Sequence, residues 1–299
     1  MASFTGLIPA NTTEDKLIDL WLRLKKSAHT RRSYSRSIRQ FQQFVRKPLR
    51  EVTLEDAIRF CEALAGRNDN TQRNAINAVK SFYSFACRSE LFPVNVMASI
   101  EPPSAKSAIH KRLLPESIVV AMIMQEPDLR NHCILRLLYS AGLRVSELCN
   151  LTWEQVSARD HGGYLHIVGK RDKTRDILLN PETWAKLQEL HAQEPEARYV
   201  FVSRQTTSRG RDGKKREKGE RMDDRMVRYL VRAAAKRVGI TNWKQVSPHW
   251  LRHCHGTHAI RRGATLPVVR DTLGHSNLAI TNIYAQTDTA ESSSLNLPL

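Results

Sequence analysis

Ser247-Pro248-His249-Trp250-Leu251-Arg252-His253 has the form of a helix start. A serine there offers its side-chain oxygen to the first free N–H groups, and proline at the next position loses nothing, because its missing N–H would have no partner. His249 and Arg252 then fall in the first turn and share a face, beside N–H groups that attract anions. An imidazole that moves protons and a guanidinium that forks onto two phosphate oxygens make this face a candidate phosphate seat. Downstream, Leu266 to Leu273 reads as a short amphipathic helix stopped by Gly274, in Gly274-His275-Ser276-Asn277, and Ser276 opens a further helix carrying Tyr284. A single His or Arg at a helix start is more often a cap or a surface group, so the reading rests on the set.

Two upstream stretches add cations. In Gly142-Leu143-Arg144-Val145-Ser146-Glu147-Leu148 the glycine stops an apolar helix spanning Cys133 to Ser140 and delivers Arg144 just beyond it. Glu147 either pairs with Arg144 or caps a local helix, a supporting part in both cases. Tyr164 to Val168 and Arg175 to Leu179 read as the arms of a β-hairpin around Gly169-Lys170-Arg171-Asp172-Lys173-Thr174. Lys170 and Lys173 share that turn, and either can reach into a groove or simply remain solvated.

The chain has 299 residues, enough for two domains, and carries 47 Lys and Arg against 30 Asp and Glu, a formal charge of +17. Such an excess favours an extended polyanion as partner. No run approaches the roughly 18 apolar residues of a membrane span, and Met1-Ala2-Ser3-Phe4 does not begin a secretory signal. A cytoplasmic, nucleoid-associated protein without a membrane partner is expected. The 5 cysteines are scattered, which is the pattern of reduced core thiols. His253, Cys254, His255 and His258 suggest zinc, yet adjacent helical positions diverge and only pairs three or four apart can share an ion, so no metal is expected.

Residues 1–100 read as short amphipathic helices. The first begins at Glu14, capped by Asn11, Thr12 or Thr13, with Leu17, Leu20, Trp21 and Leu24 as its stripe. The second runs from about Thr30, with Tyr34, Ile38, Phe41 and Phe44 on one face and Arg31, Arg32, Arg36 and Arg39 on others, either solvated or on phosphates. A third starts after Thr53 and a fourth at Thr71. Residues 101–111, rich in proline and small polar residues, read as a linker, and 112–299 as the second domain. There, Pro181 to Leu190 and Met222 to Val238 read as helices and Tyr199 to Val202 as a brief strand. Ser208 to Arg216, with Arg211, Lys214 and Lys215, reads as a flexible loop that contacts phosphates or is only solvated. The expected fold is mainly α with a small antiparallel β-sheet.

These residues together resemble the tyrosine recombinases, the phage integrase family that includes the Xer proteins. The family's order of Arg, Lys, His-x-x-Arg, His or Trp, and Tyr is met by Arg144, Lys170, His249, Arg252, His275 and Tyr284. Gly-Leu-Arg-x-Ser-Glu-Leu, Ser-Pro-His-x-Leu-Arg-His and Leu-Gly-His-Ser match as well, and the family's Gly-Lys-x-x-Lys pattern selects Lys170 over Lys173. The resemblance implies a C-shaped clamp of two domains on double-stranded DNA, the helical SAM-like domain opposite the catalytic one. It also implies a homo- or hetero-tetramer joined through the C-terminal tail, although fifteen residues after Tyr284 is short for that tail.

The implied reaction is attack by the Tyr284 phenoxide on a DNA phosphodiester, giving a 3′-phosphotyrosyl link and strand exchange through a Holliday junction. The link keeps the bond energy, so rejoining needs no ATP and no cofactor is expected. Neither a phosphate-binding Gly-x-x-x-x-Gly-Lys loop nor carboxylates spaced for two magnesium ions is found. Arg144 and Arg252 would clamp the phosphate oxygens, His275 would add a hydrogen bond, Lys170 would protonate the leaving 5′-oxygen, and His249 would serve as base. A nicking-closing enzyme like type IB topoisomerases and a non-catalytic architectural DNA-binding protein are the competing classes; the complete catalytic set argues against the second.

Overall fold

The computed structural model describes residues 12–104, 112–159, 162–169, 174–204 and 219–275. The chain divides into two compact units, Met1–Ser107 and Ala108–Leu299.

In the first unit α1 (Glu14–Arg23), α2 (Ala28–Val45), α3 (Leu54–Leu64) and α4 (Asp69–Arg88) surround a core of Trp21, Ile38, Phe41, Phe60, Phe82 and Tyr83. Among the three candidate caps of α1, Thr13 is the one whose hydroxyl accepts from the Lys16 N–H. α2 starts two residues before Thr30, because Ser27 caps it. α4 begins at Asp69, two residues before Thr71, because Asn68 caps it. Phe44 is a correction to the apolar stripe. It is 41% exposed in the last turn of α2, with its ring 5.5 Å from that of Phe60.

The second unit holds α5 (Glu116–Met124), α6 (Leu129–Ser140), α7 (Val145–Asn150), α8 (Pro181–Gln193), α9 (Asp224–Arg237), α10 (Pro248–Arg261) and α11 (Leu266–Leu273). α10 packs against α5, α6, α9 and α11. It is buried on nearly every side, including Trp250, Leu251, Cys254 and Thr257, so it shows no amphipathic stripe. α6 starts at Leu129 rather than Cys133, since Asp128 caps it by accepting from the Asn131 N–H.

The sheet has three antiparallel strands in the order β1 (Val156–Arg159), β2 (Gly162–Val168), β3 (Thr174–Leu179). β2 and β3 are the two arms expected from the sequence, in a register that opposes Ile167 to Arg175 and Val168 to Thr174. Tyr199 to Val202 does not form the expected strand; Tyr199 and Val202 make isolated bridges to Thr152 and Arg221. Among the described residues no helix is long and apolar enough to cross a membrane.

Candidate active site

Arg144 and His275 are each delivered just beyond a glycine that stops a helix, whereas His249 and Arg252 stand in the first turn of α10. α6 ends at Ala141, and Gly142 turns the chain with φ +58°, a left-handed conformation that glycine adopts without strain. A side chain there would meet Leu273 Cδ2 at 2.6 Å and a His255 ring carbon at 3.0 Å. Two residues later Arg144 stands at the N-terminus of α7. Its backbone N–H donates to Glu147 Oε2 at 2.8 Å, and its Nη1 donates to Glu147 Oε1 at 2.7 Å. Glu147 therefore both caps the helix and holds the guanidinium.

α11 ends in the same way. Gly274, with φ +61°, lets the His275 N–H fold back to the Arg270 carbonyl at 3.1 Å, which closes the helix and fixes where His275 leaves it. The last carbonyls of a helix have no partner inside it. Here successive ones are taken by three guanidiniums: Thr272 O by Arg175 Nε at 2.7 Å, Leu273 O by Arg252 Nη2, and Gly274 O by Arg144 Nη2 at 3.0 Å. The carbonyl end of the helix dipole is negative, so it offsets part of the repulsion among the gathered cations.

Arg252 lies deeper than an arginine in a helix's first turn usually does. At 2% exposure it is among the most buried side chains of the protein, and its Nη1 donates to Gly142 O while its Nη2 holds Leu273 O. Two backbone carbonyls thus satisfy part of a buried charge that would otherwise be costly. Ser247 occupies the N-cap position of α10 with Pro248 next, but its side chain makes no capping bond.

His249 lies with its ring 4.1 Å from that of His253. Burial and the charges of Arg252, Arg112 and Arg144 lower its pKa, which keeps it neutral at pH 7 and able to accept a proton. His275 is pushed down to about 4 by burial and by Arg252, Arg144, Arg175 and His249. The structure thus brings Arg144, His249, Arg252 and His275 to one place, at the end of α11. Lys170, Lys173, Arg211, Lys214, Lys215 and Tyr284 lie outside the described residues. Arg31, Arg32, Arg36 and Arg39 are all exposed on α2, in the other unit.

Sequence reasoning missed Arg175. Its Nη1 and Nη2 donate to Glu147 Oε1 and Oε2 at 3.1 and 2.8 Å, so the carboxylate serves two arginines. Burial opposes ionisation of Glu147, but bonds from Arg175 and the Arg144 N–H, with both charges, bring its carboxyl below the usual range. The available signal was an arginine in the second hairpin arm, just before the apolar run Ile177-Leu178-Leu179 and five positions after Lys170.

The histidine-rich segment of α10 is used for packing. Cys254 Sγ accepts from the Leu114 N–H at 3.3 Å, His255 Nδ1 meets Tyr139 O at 2.7 Å, and His258 Nδ1 meets the Tyr139 hydroxyl at 3.0 Å. Among the described residues no group of three or more His, Cys, Asp or Glu could hold a metal ion.

Comparison with known proteins shows the family. The Phage integrase family profile matches residues 112–291, and the profile of the phage integrase N-terminal SAM-like domain matches residues 18–91. The chain belongs to the phage integrase family. It is a tyrosine-type site-specific recombinase, an enzyme that cuts and rejoins DNA. Tyrosine recombinase XerD of Pseudomonas putida is 30% identical over 287 residues, covering 90% of this chain and 91% of that protein. Tyrosine recombinase XerA of Pyrococcus horikoshii is 30% identical over 269 residues, covering 88% and 85%. The fold is shared with the XerH recombinase in its pre-cleavage complex with difH (TM-score 0.72, 15% identity, 95% of this chain and 82% of that one). It is shared also with a lambda integrase dimer on a COC′ core site (TM-score 0.72, 14% identity, 94% and 98%).

Proposed function

We propose that this recombinase cuts through Tyr284, whose phenoxide attacks a DNA phosphodiester to give a 3′-phosphotyrosyl link and a free 5′-hydroxyl. Attack by that hydroxyl from a partner strand rejoins the backbone and passes through a Holliday junction. Arg144 and Arg252 hold the non-bridging oxygens, on which negative charge builds in the transition state. His275 adds a hydrogen bond, neutral His249 takes the tyrosyl proton, and Lys170 protonates the leaving 5′-oxygen. The observation that carries this reading is the meeting of Arg144, His249, Arg252 and His275 at the end of α11, from segments about a hundred residues apart.

Double-stranded DNA is the partner, with Arg31, Arg32, Arg36, Arg39, Lys173, Arg211, Lys214 and Lys215 as phosphate contacts. Four copies, identical or paired with a second recombinase, assemble on two duplexes through their C-terminal tails, in the cytoplasm and on the nucleoid. A duplex nicked beside the scissile phosphate tests the chemistry, because the short fragment diffuses away and the protein stays attached. The protein trapped on genomic DNA, with the junction sequenced, supplies that duplex. The parent chain should form the adduct and Tyr284→Phe should not; equal adduct from the variant refutes the assignment.

A further inference from the structure

We propose that Arg175 is a positioning residue of the cleavage site: held between Glu147 and the end of α11, it aims the Arg144 guanidinium at the DNA phosphate. The inference rests on the reading of Arg144 as a phosphate clamp.

Exposure orders the three groups. The Arg144 side chain is 39% open to solvent, whereas those of Glu147 and Arg175 are at 7% and 11%. A phosphate arriving from solvent meets Arg144 first, with Glu147 and Arg175 both buried behind it. Arg175 does not touch the substrate in this arrangement.

Its bonds reach both supports of Arg144. One is Glu147, whose two oxygens each receive one bond from Arg144 and one from Arg175. An Arg–carboxylate fork fixes direction as well as distance, so Arg175 sets the plane in which Glu147 presents Oε1 to Arg144 Nη1. The other support is the α11 terminus. Arg175 Nε holds Thr272 O, two residues before the Gly274 carbonyl that receives Arg144 Nη2. Leu273 O, between them, receives Arg252. Gly274 leaves room for this, since a side chain there would stand 3.0 Å from Arg175 Nη1. A lysine in place of Arg175 keeps the charge but cannot make the fork and the Thr272 bond together.

The test is single-turnover cleavage of the nicked duplex by the full chain at saturating protein, with DNA affinity and melting temperature measured alongside. Arg175→Gln should cut about 10 to 100 times more slowly while binding DNA within about threefold of the parent. Arg175→Lys should recover the melting temperature but not the rate. The pair Arg175→Gln with Glu147→Gln should be no slower than its slower member, within about threefold, because both act through one carboxylate. Full rate in Arg175→Lys, or rate losses that multiply in the pair, overturns the proposal. Should Arg175→Gln fail to fold, the lysine variant alone decides. Arg144→Ala is the separate control: if it cuts normally, the phosphate-clamp reading fails whatever Arg175 does.

Discussion

Arg252 donates a hydrogen bond from its buried guanidinium to the backbone carbonyl of Leu273. The same side chain holds Gly142 O, so one group ties α10 to the turns that deliver Arg144 and His275. Arg252→Lys keeps a charge but lacks the planar fork for two carbonyls. It is expected to lose about 10²–10³ in cleavage rate and about 1–3 kcal/mol in stability from the carbonyl left unpaired. Chemical denaturation and single-turnover cleavage check the two effects separately.

Gly142 combines a left-handed backbone with close neighbours. Gly142→Ala incurs about 1–2 kcal/mol for the conformation and about 1–3 kcal/mol for forcing Leu273 and His255 apart. Denaturant unfolding of the full chain should show a loss in this combined range for the transition that involves the second unit. A loss below about 0.5 kcal/mol would mean that the turn rearranges freely.

Acid should destabilise the second unit before its carboxylates titrate. His253 is pushed down to about 3 by burial, the neighbouring His249 and two arginines; His255 and His275 lie at about 4, again mainly through burial. In the unfolded chain each titrates near 6.5. Between these values the unfolded state binds more protons, so this stability is complete above about pH 6.5 and is lost as pH falls toward 4. Glu147, lowered from 4.5, adds its loss only below that value, so a scan from pH 7 to 5 isolates the histidines. The melting temperature should fall across that scan, and His253→Gln should flatten the slope.

The Tyr139 hydroxyl stands 3.0 Å from His258 Nδ1 and donates to Glu116 at 3.2 Å. Burial and the carboxylate of Glu116 raise its pKa, so it remains protonated. Tyr139→Phe removes both contacts and should lower stability by about 1–2 kcal/mol. Cleavage at saturating DNA should be unchanged, because among the described residues the hydroxyl bonds Glu116 and His258 and no group of the candidate site.

Arg32, Arg36 and Arg39 recur at helical spacing on the exposed side of α2. If each meets a phosphate, every Arg→Ala change weakens binding to all DNA sequences alike and lowers the salt slope by about one. Unchanged slopes would leave this face merely solvated.

The helices that carry the candidate site were legible because their punctuation is local: Ser247-Pro248 before α10, Gly274 after α11, Gly142 after α6. The arms of the hairpin were legible from their apolar content. β1 was not, since Val156-Ser157-Ala158-Arg159 is only 4 residues long, has Val156 as its one large apolar side chain, and exists through its pairing with β2. Tyr199 to Val202 misled for the opposite reason: an apolar run looks like a strand, but here it fills the core between two single bridges. The depth of Arg252 was equally hidden. A guanidinium reads as a surface group until the carbonyls that receive it, at positions 142 and 273, are known. Arg175 escaped notice because its meaning lies in Glu147, 28 positions away.

The shared carboxylate of Glu147 also bears on how such a site can drift. Losing the acid strands two buried or half-buried cations at once, whereas losing either arginine leaves the acid one counterion. Mutational routes through this trio are therefore asymmetric: position 175 tolerates a first step more readily than 147 does, while position 144 is under the separate demand of the proposed phosphate contact. Lineages that dispense with the acid are expected to have replaced position 175 beforehand.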